Sequence, residues 1–292
     1  MLWRFRTAIV KAGMETIMLT DNRIYPGQYN AALLEECLTQ EEISSPLLLY
    51  SELASTNTTA KELAARGVPS GSAVLAESQS AGRGRLGRSF FSPKGGGIYL
   101  SIVLRPPREE AAILRLTTAV CVAVCAAVSR ITGIHTDIKW VNDIYLHEKK
   151  LCGILCEGVV NSNGTLDAVV AGIGINVERH ASEFPAELAH TACALYESDA
   201  PTGIREALLA AILREVTDCT NTLLDGSYLP EYRRRSMLLG REVVLMNRRP
   251  DDPNTAVTAL AIDIDDLGGL VVQYSDGTRE SLHTGEVTVR VK

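Results

Sequence analysis

Residues 82–88 read GRGRLGR, and the fold turns on how that loop is read. Gly82, Gly84 and Gly87 satisfy the G-x-G-x-x-G spacing of a dinucleotide-binding turn. Such a turn must leave a strand and open a helix whose N-terminus faces the pyrophosphate. The first condition holds, because GSAVLAESQ (71–79) reads as a strand. The second fails. The loop runs on into SFFSPKGGGIYLSIVL (89–104), with Pro93, three glycines and another strand. No V-A-I-K or H-R-D set follows to make it a kinase loop either. What is left is three arginines, Arg83, Arg85 and Arg88, on a glycine-rich backbone. Guanidinium forks pair bidentately with carboxylate and phosphate, and glycine lets backbone approach a ligand closely. The segment reads as a lid over a small anionic ligand.

The rest of the chain sets that basic loop in acidic surroundings. Its 292 residues are 46% hydrophobic and 22% charged, with a formal net charge of −6. This composition suits one large domain with one or two small ones. It disfavours broad nucleic-acid binding, which needs clustered positive charge. No uncharged apolar run reaches the roughly 18 residues of a membrane span. The first residues, MLWRFRTAIVKAGMETIML, lack the unbroken apolar core and cleavage site of a secretory signal. Met14 and Met18 are alternative starts. A cytoplasmic protein without DNA or membrane contacts is expected. The seven cysteines (Cys37, Cys121, Cys125, Cys152, Cys156, Cys193, Cys219) form no C-x-x-C pair, and the five histidines show no metal-ligand spacing. Reduced, structural cysteines are expected.

Around the loop the pattern is legible from Pro46 onward. LLLYSEL (47–53) reads as a strand. STNTTAKELAARG (55–67) reads as a helix with Ser55 or Thr56 as cap and Gly67 as stop. Residues 110–131 form an apolar helix buried on most sides, in which Glu110, Arg115 and Arg130 argue against a membrane span. TDIKW (136–140), KLCGILCEGVV (150–160) and LDAVVAGIGINV (166–177) are closely spaced strands, which favours a mixed or antiparallel sheet over βαβ winding. Residues 202–225 and 227–236 read as helices. From Met237 short strands punctuated by DDLGG and SDGT predict a small all-β barrel. Earlier, NAALLEECL (30–38) reads as a short amphipathic helix, and the stretch to Gln28 has no firm period. The domains expected are an N-terminal extension (1–45), a catalytic domain (46–236) and a C-terminal barrel (237–292).

Four further segments accompany the arginine loop. STN (55–57) offers two hydroxyls and an amide at a helix start. KWVND (139–143) puts Lys139, Trp140, Asn142 and Asp143 at a strand end. KKLCGIL (149–155) sets Lys150 three residues before Gly153. GIGIN (172–176) places glycines on one face of a strand, leaving room for a flat ligand. Each alone has an ordinary reading as a cap, a solvated charge or a bulge. Their order and combination are what is improbable by accident.

Taken together, STN, Q-x-A-GRGRxGR, KWxND, KKLxGIL(x)E and GIGINV resemble the biotin protein ligases, which join biotin to a lysine of a biotin carboxyl carrier domain. The resemblance runs from about Pro46 to the C-terminus. It implies an α+β fold: a class II synthetase-like catalytic domain, with a mixed sheet and flanking helices, then an SH3-like β-barrel. It implies ATP and Mg²⁺ as cofactors, biotin as substrate, a biotinyl-5′-AMP intermediate, and the carrier domain and a second copy of the chain as partners. By this resemblance Arg83 and Lys150 are the catalytic pair. Ser55, Thr56, Asn57, Gln79, Gly82, Arg83, Gly84, Arg85, Lys150, Gly153, Ile154 and Gly172 form the biotin site. Arg85, Arg88, Phe90, Asn142, Asp143, Lys150 and Asn176 form the ATP site, with Asp143 as candidate metal ligand. Two positions depart from the family: Phe90 stands where Trp is common, and Val141 where Pro is usual. The type implied is monofunctional, without an N-terminal DNA-binding domain. The rivals are a lipoate or octanoyl ligase of the same fold, a non-catalytic biotin-binding regulator, and a bifunctional ligase–repressor.

Overall fold

Every residue of the strand Gly97–Leu104 is buried, so both of its faces need cover, and helices supply it on each side. The computed structural model describes residues 9–12, 15–18, 29–179, 184–246, 256–283 and 288–291. In chain order, strands β1 (Ile9–Ala12) and β2 (Glu15–Met18) precede α1 (Ala31–Gln40), β3 (Leu47–Tyr50), α2 (Thr56–Ala65), β4 (Ala73–Ala76), β5 (Gly97–Leu104) and α3 (Glu110–Thr132). Then come β6 (Asp137–Lys139), β7 (Asp143–Leu146), β8 (Lys149–Val160), β9 (Leu166–Asn176), α4 (Ile204–Asp218) and α5 (Leu229–Arg235). The C-terminal strands are β10 (Glu242–Met246), β11 (Ala256–Ile264), β12 (Leu270–Gln273), β13 (Arg279–Leu282) and β14 (Thr288–Val291).

Among the described residues the first sheet has the order β2-β1-β3-β4-β5-β9-β8-β7-β6. It is mixed: β1–β3 and β3–β4 run parallel, and the remaining neighbours are antiparallel. The alternation of β5 explains the layering. Ile98, Leu100, Ile102 and Leu104 join the large core with α3 and α4, whereas Val103 joins Val74, Val170 and the α2 residues Ala60 and Ala64. Helix α3 is long and apolar enough to cross a membrane by composition, with a mean hydropathy of 2.2. It is instead the core helix, packed against β8, α4 and α5. All seven cysteines are free. Burial pushes the Cys125 thiol up to about 11 and the Cys219 thiol up to about 12, so these are core residues rather than nucleophiles.

The second sheet, β13-β12-β11-β10-β14, is antiparallel throughout and forms the SH3-like barrel. Three features add to the sequence reading. Strand β14 is an additional barrel strand. Strands β1 and β2 extend the main sheet from within the aperiodic stretch. Strand β7 returns on β6, so Asn142 and Asp143 sit at a hairpin turn. The β7–β8 turn carries two left-handed residues, His147 (φ 49°) and Glu148 (φ 61°). Neither is the glycine or asparagine that marks such a turn in a sequence.

Candidate active site

Register decides where the site lies. Gly174 pairs with Tyr99 on one side and Gly153 on the other, and Gly172 pairs with Ser101 and Leu155. These positions share the α2 face of the sheet, continuing from Val170 and Ala168. The glycines there let other side chains close on the sheet, and a hollow lies beside them at the N-terminal end of α2. A cavity of about 370 Å³ fills it, lined among others by Ser55, Thr56, Asn57, Gln79, Arg83, Arg85, Lys150 and Gly172. The volume lies within the usual range for a small-molecule site.

The hollow's inner end is polar, and Thr56, Asn57, Gln79 and Ser101 are hydrogen-bonded there. Ser55 occupies the N-cap position of α2, but its side chain makes no capping bond. Gln79 does that work, its Oε1 accepting the Thr56 N–H at 2.9 Å and lying 3.2 Å from Thr56 Oγ1. Its Nε2 donates to Ser92 Oγ at 2.9 Å. The buried Ser101 hydroxyl donates to Asn57 Oδ1 at 2.6 Å and lies 2.8 Å from Thr56 Oγ1. Asn57 Nδ2 donates to Leu155 O and to Glu157 Oε2. A buried network in which each member is satisfied is rigid.

The arginine loop is a short hairpin. Gly84 N donates to Arg88 O at 2.7 Å and Phe90 N to Gly82 O at 2.9 Å. Its tip places Leu86 (φ 56°) and Gly87 (φ 72°) in the left-handed region, with Leu86 exposed. A Cβ on Gly82 would collide with Phe90 O, so that glycine closes the hairpin base and does not line the cavity. Arg85 Nη1 donates to Asn142 Oδ1 at 2.8 Å, and burial lowers its pKa. Arg83 Nη2 meets Glu157 Oε2 at 3.0 Å. Lys150 Nζ meets Asp143 Oδ1 at 2.8 Å, and Asn142 Nδ2 donates to the same oxygen at 3.1 Å. Arg88 is exposed on the rim. On the hairpin's other side an open groove reaches Ile113 and Leu114 of α3 and His283 of the barrel.

The structure thus gathers Ser55, Thr56, Asn57, Gln79, Arg83, Gly84, Arg85, Arg88, Phe90, Asn142, Asp143, Lys150, Gly153, Ile154 and Gly172 around one cavity. Besides that of Gly82, three readings change. Asn176 does not line it; its Nδ2 donates to Cys193 O at 2.9 Å and so anchors the segment after β9. Ile154 packs into the large core, and its backbone exchanges bonds with Asn142. The bare faces of the glycines are taken up: a Cβ on Gly172 would collide with the Asn57 amide, and one on Gly174 would lie 2.5 Å from the Phe90 ring. Sequence reasoning assigned no role to Ser101, Ser92, Tyr145, Glu157 or the Leu188–Ala192 segment. Alternation from Gly153 through Leu155 places Glu157 on the glycine face and was the signal available for it.

Cationic side chains around a cavity on the glycine face of a mixed sheet define an anion-binding domain, here carrying a small accessory barrel. Residues 49–176 match the biotin/lipoate A/B protein ligase family, and residues 239–290 match the biotin protein ligase C terminal domain. The bifunctional ligase/repressor BirA of Bacillus subtilis is 32% identical over 256 residues, 87% of this chain and 78% of that protein. The biotin–[acetyl-CoA-carboxylase] ligase of Mycobacterium tuberculosis is 29% identical over 77% of this chain and 84% of its own length. The biotin protein ligase from Aquifex aeolicus in complex with biotin and ATP superposes with a TM-score of 0.70 at 29% identity, covering 84% of this chain and 99% of that one. The chain belongs to the biotin/lipoate A/B protein ligase family.

Proposed function

We propose that the chain is an ATP-dependent biotin protein ligase. It activates biotin as biotinyl-5′-AMP, releasing pyrophosphate, and transfers the biotinyl group to a lysine of a biotin carboxyl carrier domain. The observation that carries this reading is the convergence of the arginine hairpin, Lys150 and the Ser55–Thr56–Gln79 cluster on one cavity. A rigid polar end suits the fused ureido ring, and the cationic rim suits two anions that must meet. Attack of the biotin carboxylate on the α-phosphate forms a C–O–P linkage and breaks the α–β bond. Fixed guanidinium and ammonium groups offset the repulsion and the charge that develops.

In this assignment Ser55, Thr56 and Gln79 hold the ring, with Asn57 and Gly172 shaping the wall beside it. Arg83 steers the carboxylate, and Lys150 stands where carboxylate and α-phosphate meet. Arg85 and Arg88 take the remaining phosphates, while Phe90 offers a ring face to adenine without an indole N–H. Among the described residues no three metal-binding side chains gather, and Asp143 is the one carboxylate in the cavity lining. That fits Mg²⁺ held by Asp143 together with ATP's own phosphates, where the ion would neutralise phosphate charge. Closing the hairpin excludes water from the mixed anhydride. In the second step the neutral carrier lysine attacks the biotinyl carbonyl and AMP leaves. A homodimer, a cytoplasmic location and the lack of DNA or membrane contacts belong to the same proposal.

Biotin-dependent pyrophosphate release with ATP and Mg²⁺ tests it. Release is expected with biotin and not with lipoate. Arg83→Ala and Lys150→Ala should each lower kcat by about 10²–10³, the usual loss for one charge-stabilising group. Tight biotin binding without pyrophosphate release refutes the enzyme reading; release with lipoate alone refutes the substrate.

A further inference from the structure

Arg83 already has a carboxylate for a partner. Its Nη2 lies 3.0 Å from Glu157 Oε2, and among the described residues its side chain makes no other hydrogen bond or ion pair. Glu157 is better provided. Its Oε2 also accepts Asn57 Nδ2 at 2.8 Å, and its Oε1 meets Lys61 Nζ at 3.2 Å. Asn57 and Lys61 stand one helical turn apart on α2 and so reach the same carboxyl. Burial pushes the Glu157 pKa up, but the bonds from Asn57 and Lys61 and the charge of Arg83 outweigh this and hold it below the usual carboxylate value. Glu157 is therefore ionised at neutral pH.

We propose that Glu157 is a positioning residue that parks the lid arginine, and that the substrate carboxylate displaces it. Hairpin closure is then an exchange of one carboxylate for another on Arg83. This rests on the assignment of Arg83 given under Proposed function. The asymmetry of partners supports it. When Arg83 leaves, Glu157 keeps Asn57 and Lys61, so no buried charge is stranded. Without a ligand, Arg83 has Glu157 alone. The arginine side chain is 43% exposed and that of Glu157 22%, so the pair is weak enough to exchange, being worth about two- to fivefold in an equilibrium constant. The latch also spans the two halves of the site, because the Asn57 amide that binds Glu157 lies beside the wall where the ring would sit.

Glu157→Gln keeps an acceptor for Asn57 and removes the charge that holds Arg83. Biotin affinity, read by calorimetry, should tighten about two- to fivefold, and the KM for biotin should fall with it. Biotinamide, which has no carboxylate to contest the guanidinium, should bind variant and wild type alike. In an Arg83→Ala background the gain should vanish. A purely structural Glu157 would make the variant bind both probes more weakly, and that result overturns the proposal, as does unchanged biotin affinity. If circular dichroism shows that Glu157→Gln does not fold, Glu157→Asp replaces it. Withdrawing the charge by one methylene should shift biotin affinity in the same direction and leave biotinamide unmoved; no shift overturns the proposal. Wild-type protein that binds neither probe refutes the ligase reading itself and is told apart on that ground.

Discussion

At the scale of single residues, the site depends on what lies opposite each small side chain. Ser101 is fully buried, and it is the donor that keeps Asn57 Oδ1 satisfied. Ser101→Ala strands that carbonyl in a dry setting, which should cost about 1–3 kcal/mol in urea unfolding. Biotin binding should weaken as the Asn57 amide loses its fixed orientation. Gly174 fails differently. An added Cβ would lie 2.5 Å from the Phe90 ring, which packs edge-on to Tyr99 with centroids 6.5 Å apart. Gly174→Ala must expel the ring, so the KM for ATP should rise more than the Kd for biotin. Equal effects on both would place Phe90 away from the nucleotide. The sequence revealed these glycines as one face of a strand, because alternation is a local property. It could not reveal that Asn57 and Phe90 cover them, because that depends on pairings from distant parts of the chain. Gln79 capping α2 in place of Ser55 likewise depends on a contact between distant parts of the chain.

At the scale of elements, legibility followed the strength of the local signal. Helix α3 and strands β5, β8 and β9 carry long apolar patterns and were readable. Strand β7 has only four residues and a turn of unmarked left-handed residues, so it merged with its surroundings. Helix α5 has a further property that pH exposes. Glu231 in its first turn bonds Arg234 at 2.6 Å and Arg235 at 2.6 Å. Arg235 is itself buried and donates to Thr136 O at 2.9 Å, tying α5 to the β6 side of the sheet. The Arg234 bond, then Arg235, lower the Glu231 pKa from 4.5 to about 2, against the effect of burial. A pKa lowered on folding adds stability that is full above 4.5 and is lost as pH falls toward 2. The side chain is 36% exposed, so solvent keeps the contribution under about 1 kcal/mol. Acid titration of unfolding stability should show Glu231→Gln losing part of the wild-type margin at pH 6. The two curves should converge as pH falls toward 2, and a constant gap would refute the assignment.

At the scale of the whole molecule, the barrel shares one apolar core with the main sheet and its helices, and a set of strong polar contacts adds to it. Arg233 on α5 donates to Ile264 O at 2.8 and 2.6 Å and meets Asp263 and Asp266. Arg115 on α3 spans Asp266 O at 2.6 Å and the carbonyls of Leu223 and Leu224. The buried Trp140 indole donates to Gly268 O at 3.0 Å. Gly268 has φ 84°, and a Cβ there would lie 2.9 Å from Thr118 Oγ1, so the loop seats without a side chain. Trp140 ends two residues before Asn142, which binds Arg85, and three before Asp143, which binds Lys150. Barrel docking therefore sets the backbone from which the cationic rim is held. Hydrogen bonds to charged donors contribute about 1.5–3 kcal/mol each, so removing both arginines should uncouple the two parts. Arg115→Ala combined with Arg233→Ala should split one calorimetric transition into two, and the double variant should lose kcat for pyrophosphate release as the Asn142–Asp143 turn loosens. A single transition with kcat unchanged would mean that the barrel docks through its apolar contacts and leaves the site alone. Two transitions with kcat unchanged would instead confine the arginines to holding the barrel.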